Sequence, residues 1–378
     1  MPPLPPLVEP VPALSASERA RTARHTSLLT LGEIGQRRLA AAHVAVIGAG
    51  GLGSPIVLAL AAAGIGTLTV IDDDTVEASN LQRQVLHRLR DVGAPKVDSA
   101  ARVAADLAPE TRVLAVAERI DDANAVALLR GADLVIDGSD TFDTREAVAA
   151  ACESLGVPLV WGTVQAFDAQ VTVFWSMPPA GAPAVRLSDL YPAGSAGDVP
   201  TCAQVGVLGA LCLQVGSLMA IEAIKLIAGI GEPLLGRVLV IDSLRARQFE
   251  VPLRPAGSSA DATARGAVRS AAPEVGVPID VVSARDLADA IAGGSAPALV
   301  DVREADEVAR GMIPGSHHIP LAQLLADPGQ VAGPVVVICQ VGARARRAAE
   351  ALAAVGVSAT VLAGGIVAWD VALAGQSA

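Results

Sequence analysis

The sequence predicts an α/β protein of two domains. A mostly parallel sheet with helices on both faces comes first, and a smaller α/β domain follows at the carboxyl end. Three observations carry this reading. From His43 onward, apolar β-type runs alternate with helical runs, as in parallel sheets covered on both faces. The alternation stops after Arg254, where residues 255–276 become Ala, Ser, Gly and Pro without apolar period, the composition of a flexible linker. A second alternation then fills residues 277–378, about one small domain. Length agrees, because 378 residues exceed one ordinary core.

Taken in order, residues 1–20 form a Pro-rich extension with no basic start leading into an apolar core, so they do not read as a secretory signal. The domain at 21–254 opens on a short β run, His43–Ile47, then an Ala-rich helix at 54–64 and a strand at 67–72. A helix at 96–108 ends at Pro109, and strands follow at 112–118 and 133–137. Later strands at 171–175 and 237–242 flank the most apolar stretch, residues 205–230. Gln214, Glu222 and Lys225 interrupt that stretch, and the last two share a helical face. It is expected to be a buried or dimer-facing helix, not a membrane span. In the second domain the strands are 298–302 and 334–338, with a helix at 345–355. No repeat relates the halves.

Composition narrows the function. Apolar residues make up 52% and charged residues 18%, a composition that does not point to general disorder. A net charge of −11 speaks against a nucleic-acid surface. The protein is expected to be cytoplasmic, with its four cysteines, Cys152, Cys202, Cys212 and Cys339, reduced. No C-x-x-C pair occurs, so no zinc site is expected.

Gly48, Gly50, Gly51 and Gly53 follow a strand and open a helix, which lets backbone N–H groups approach phosphate oxygens. Asp72, about 20 residues on, sits where a ribose-binding acid belongs, so a nicotinamide-dependent, Rossmann-like oxidoreductase is permitted here. The next stretch favours a triphosphate. Acids including Asp74 cluster at a strand end, Asn80 and Arg83 lie one turn apart, and Lys96 starts a helix. Adenylyl transfer needs such converging cations. Asp140 lies beyond another strand end, where a carboxylate could hold Mg²⁺.

Arg24, GAGGLGS, DDDTVEASNLQRQ, GAPK and DGSD together resemble the MoeB/ThiF family, bacterial relatives of ubiquitin-activating enzymes. The resemblance implies a homodimer with one ATP site per subunit. It implies that Asp72 holds the ribose, that Asn80, Arg83 and Lys96 hold the phosphates, and that Asp140 holds Mg²⁺. Arg24 resembles the arginine that such dimers lend to the neighbouring subunit. The carrier's own carboxylate would be the nucleophile, so no catalytic base is required, only placement and charge neutralisation. Many members carry two C-x-x-C zinc pairs that this chain lacks.

Cys339 ends a strand, and Cys339-Gln340-Val341-Gly342-Ala343-Arg344 leads into a helix. Backbone N–H groups, a helix N-terminus and the charge of Arg344 would favour a thiolate or persulfide there. DVRE at 301–304, GMIPG at 311–315, HIP at 318–320 and GGIVAW at 364–369 resemble the rhodanese family, which implies that Cys339 carries a persulfide. His317 and His318 read as structural loop residues. Cys202 matches a loop cysteine of the MoeB/ThiF family that can join sulfur transfer, whereas Cys212 and Cys152 read as inert core thiols.

The expectation is therefore ATP-dependent adenylation of the terminal glycine carboxylate of a small ubiquitin-like sulfur carrier ending in Gly-Gly. Transfer of sulfur from Cys339 then gives a thiocarboxylate. Thiosulfate or a cysteine desulfurase would supply the sulfur. The rivals are the oxidoreductase and a non-catalytic scaffold that docks the carrier.

Overall fold

The computed structural model describes residues 4–191, 206–255, 280–295, 297–309, 311–340, 342–366 and 368–369. The chain divides into two compact units, residues 1–268 and 269–378.

The first unit begins with the short helices α1 (Ala16–Arg21) and α2 (Ala23–Thr26), then α3 (Gly32–Ala41). There follow β1 (His43–Ile47), α4 (Gly53–Ala63), β2 (Thr67–Ile71), α5 (Lys96–Leu107), β3 (Arg112–Val116), α6 (Ala125–Leu129), β4 (Leu134–Asp137) and α7 (Phe142–Leu155). The unit ends with β5 (Leu159–Gln165), β6 (Asp168–Phe174), α8 (Leu187–Leu190), α9 (Gly209–Ala228), β7 (Arg237–Asp242) and β8 (Arg247–Pro252).

The eight strands form one sheet in the order β3-β2-β1-β4-β5-β6-β7-β8. β1 to β5 pair in parallel, while the β5–β6, β6–β7 and β7–β8 pairs are antiparallel. β1 is buried from Val44 to Ile47, as a central parallel strand covered on both faces must be. It lies between β2 and β4, so chain order reverses there and a crevice opens at the strand ends. Among the described residues, α9 alone is long and apolar enough to cross a membrane, yet it packs in the core of this unit. Its Gly216 approaches Pro55 of α4 so closely that an added Cβ would lie 2.4 Å from that ring. Glu222 and Lys225 share a face as expected, joined at 2.5 Å.

Differences from expectation lie mainly in the antiparallel part. β5 and β8 carry no clear sequence signal, and β6 starts at Asp168 instead of 171. The turn between β5 and β6 uses Ala166 at φ +51°, and the β7–β8 turn uses Ala246 at the same angle. Gly or Asn normally marks such turns, so nothing advertised these hairpins. The Pro-rich extension is also ordered by contacts. Leu4 and Leu14 are buried, the Leu7 N–H donates to Leu226 O (3.3 Å), and Val11 exchanges hydrogen bonds with Arg37.

The second unit contains β9 (Asp280–Val282), α10 (Ala284–Ala292), β10 (Ala298–Asp301), α11 (Ala305–Val308), β11 (Ser316–His318), α12 (Leu321–Ala326), β12 (Val335–Ile338), α13 (Ala343–Ala354) and β13 (Ala359–Leu362). Its five-stranded parallel sheet, in the order β11-β10-β12-β13-β9, has an apolar cluster on each face. His317 and His318 belong to edge strand β11 rather than to a loop, and His318 Nε2 lies 2.8 Å from Arg303 O.

Candidate active site

The crevice at the ends of β1, β2 and β4 holds a cavity of about 240 Å³. Gly48, Gly50, Gly51, Asp72, Asp74, Arg83, Lys96 and Asp140 line it, as the sequence led one to expect. Gly53, Asn80 and Arg24 do not. Gly53 serves the loop by lacking a side chain, since a Cβ there would lie 1.8 Å from Gly48 O. Asn80 is buried and accepts the Glu77 N–H, while its carbonyl accepts the Arg83 N–H at 3.0 Å. It therefore shapes the turn that carries Arg83. Arg24 is exposed on α2.

The glycine loop is held at the amide and the carbonyl of one residue, Ala49. Asp72 Oδ2 accepts the Ala49 N–H at 2.7 Å, and His87 Nε2 lies 2.8 Å from Ala49 O. His87 Nδ1 bonds Ser99 Oγ on α5. Burial holds the His87 pKa below its ordinary value, so the ring is neutral. Its Nε2–H donates to the carbonyl, and Nδ1 faces the Ser99 hydroxyl, which also lies 3.0 Å from Lys96 O. Burial also pushes the Asp72 carboxyl up, against the opposing pull of Lys96. Lys96 Nζ lies 2.6 Å from Asp74 and 3.8 Å from Asp72, so a phosphate must share this lysine with two acids. Asp72, Asp73 and Asp74 bring their oxygens within 4.8 Å of one another.

Three features of the cavity wall had no sequence signal. Gln84 is buried there with its Oε1 unpartnered among the described residues. Arg145 of α7 lines the wall beyond Asp140. Cys212, read as an inert core thiol, is buried but lines the cavity, and a Cβ on Gly51 would lie 3.1 Å from its Sγ. Cys152 is a core thiol whose pKa burial pushes up. Cys202 lies outside the described residues.

In the second unit, Cys339 follows β12 and is buried. Its Sγ accepts the Gly342 N–H at 3.0 Å, where Gly342, at φ +106°, caps the start of α13. Ile366 N–H donates to Cys339 O at 2.9 Å, and a Cβ on Gly365 would lie 2.3 Å from that oxygen. Arg344 does not offer an unshared charge to the sulfur. Its guanidinium grips Glu307 through two bonds of 2.6 Å, which hold the Glu307 carboxyl down at about 2. A separate cavity of about 350 Å³ opens beside Gln340, Glu307 and Trp369.

Comparison with known proteins agrees with this division. Residues 22–261 match the ThiF family and residues 283–372 the rhodanese-like domain. The chain is 42% identical over 379 residues to the "Probable adenylyltransferase/sulfurtransferase MoeZ" of Mycobacterium tuberculosis, covering 97% of this chain and 96% of that one. It is 46% identical over 238 residues to the sulfur carrier protein adenylyltransferase of Thermus thermophilus, covering 63% of this chain and 88% of the relative. The crystal structure of E. coli MccB shares the fold, with a TM-score of 0.55 at 21% identity over 64% of this chain and 71% of that one.

Proposed function

This chain belongs to the ThiF family, with a rhodanese-like domain behind it, and on that premise we propose how an adenylyltransferase and sulfurtransferase uses the residues just described. The observation that supports the reading best is the crevice itself. It joins a glycine loop, a ribose-type acid, several cations and the Asp140 carboxylate at one topological switch point.

ATP binds with its ribose against Asp72 and its phosphates on the loop amides, Arg83 and Lys96. Asp140 forms no ion pair among the described residues and offers hard oxygen ligands to the cavity. It fits Mg²⁺, which would neutralise phosphate oxygens when bound. A carrier ending in Gly-Gly then presents its terminal carboxylate. One carboxylate oxygen forms a bond to the α-phosphorus as the bond to the β-phosphate bridging oxygen breaks. Pyrophosphate leaves with the electron pair, and an acyl-adenylate remains.

Sulfur follows by exchange at the acyl carbon. Thiosulfate or a cysteine desulfurase loads Cys339 as a persulfide. Its terminal sulfur attacks the acyl carbon, AMP leaves, and an acyl disulfide joins carrier to Cys339. The Cys202 thiolate attacks the Cys339 sulfur, which releases the thiocarboxylate and leaves a Cys202–Cys339 disulfide. A dithiol reductant restores both thiols. In this reading the protein is a cytoplasmic homodimer, and Arg24 completes the partner's site.

Two measurements test this. Carrier-dependent ATP–pyrophosphate exchange should occur in the wild type and persist in Cys339→Ser. Thiocarboxylate formation with thiosulfate should fall in that variant by about 100-fold or more, the scale of losing a covalent nucleophile. Normal thiocarboxylate output from Cys339→Ser would remove the sulfur route, and absence of exchange would remove the activation step.

A further inference from the structure

Arg145 sits on α7 with its side chain almost wholly buried, 7% exposed, and it lines the nucleotide cavity. Its orientation is set on three sides. Nε and Nη2 donate to Ser139 O at 3.3 and 2.8 Å, Nη2 also reaches Thr163 Oγ1 at 3.2 Å, and the guanidinium lies 5.3 Å from the Trp161 ring centroid. Nη1 has no partner among the described residues, and no carboxylate there forms an ion pair with this arginine. The nearby Asp137 carboxyl is fully buried with its Oδ2 unpartnered among the described residues, and burial pushes its pKa up against the opposing charge of Arg145. Buried guanidinium donors that protein acceptors leave idle are what a bound anion would take up.

The position along the sheet says which anion. Asp72 fixes the ribose at the end of β2, and the glycine loop after β1 takes the phosphates. Arg83 and Lys96 stand on that side. Asp140 follows β4, and beyond it Arg145 braces against Thr163 and Trp161 of β5. An incoming carboxylate attacks the α-phosphorus in line, opposite the pyrophosphate it displaces, and Arg145 lines the cavity at the β5 end, away from the loop that takes the phosphates.

We infer that Arg145 binds the substrate's terminal carboxylate and holds it for attack. The inference rests on the adenylation reading above and adds the residue that recognises the nucleophile. One guanidinium edge is fixed by Ser139 and Thr163, and Nη1 is left to donate to a carboxylate oxygen, a charge-assisted contact whose direction the fork dictates.

The test uses the full-length protein and a ubiquitin-fold carrier ending in Gly-Gly, prepared once with a free carboxylate and once as the terminal carboxamide. Affinity for both forms is measured with a saturating ATP analogue that cannot be cleaved between α- and β-phosphorus. The wild type should prefer the carboxylate by about tenfold or more, the range of a charged hydrogen bond in a desolvated site. Arg145→Gln should bring the two affinities together. Its kcat/KM for carrier in ATP–pyrophosphate exchange should fall by about 100-fold, with KM for ATP within about threefold.

A wild type that binds both carriers equally overturns the inference with no variant needed. A folded Arg145→Gln that keeps the preference also overturns it. So does a raised KM for ATP with carrier discrimination intact, which would place the arginine on the triphosphate. No exchange in the wild type with either carrier would instead defeat the adenylation reading, and the role of Arg145 with it.

Discussion

A single buried imidazole decides how firmly the phosphate loop is held. His87 fastens the Ala49 carbonyl while Asp72 fastens the amide of the same residue. Burial, with the charge of Lys96 acting the same way, outweighs the Ala49 carbonyl, Asp72 and Asp91 to keep its pKa low. The unfolded chain takes up a proton near pH 6.5 that the folded chain refuses. Stability should therefore be lost as pH falls from about 6.5 toward the lower folded value, and then level off. His87→Gln, which keeps a donor toward Ala49, should lack this dependence. Urea midpoints of both proteins at several pH values would check it, and parallel slopes would contradict it. Neither His87 nor Arg145 was legible in the sequence. Each acts on residues distant in the chain, Ala49 and Ser99 for one and Thr163 and Trp161 for the other. The glycines, Asp72, Lys96 and Asp140 were legible because their chemistry and their place at strand ends coincide.

At the level of elements, the alternation of β and α runs marked the parallel half of the sheet well. A buried parallel strand is a continuous apolar run, and its crossover helix is amphipathic or Ala-rich. The antiparallel half was harder, because Ala166 and Ala246 stand where a glycine would have announced a turn. The junction of β1 with α4 is the most exacting of these connections. Gly53→Ala would force a methyl group onto Gly48 O. It should lower stability by about 3 kcal/mol or more, as severe backbone clashes do, and abolish nucleotide binding. Gly50→Ala meets nothing closer than 3.6 Å, so its fold should survive. Thermal melts and an ATP titration on the two variants would separate them, and equal melting temperatures would contradict the steric reading.

For the molecule as a whole, the apolar clusters of the two units share no residue. Each unit therefore has the means to fold by itself. A fragment covering residues 1–255 should keep carrier-dependent ATP–pyrophosphate exchange within about threefold of the full chain. It should make no thiocarboxylate until the second unit is added, and that restored rate should rise with concentration because the tether no longer supplies the partner. Loss of exchange in the soluble fragment would show that the units depend on each other. The leading segment carries a consequence for biosynthesis. Leu7 bonds Leu226 of α9 and Leu4 joins the same apolar core, to which α9 is added long after both have left the ribosome. At ~10 residues per second the wait is on the order of 20 s. Throughout that interval a short greasy tail hangs from a growing polypeptide, and the nascent chain must be shielded there until its own later helix arrives to claim it.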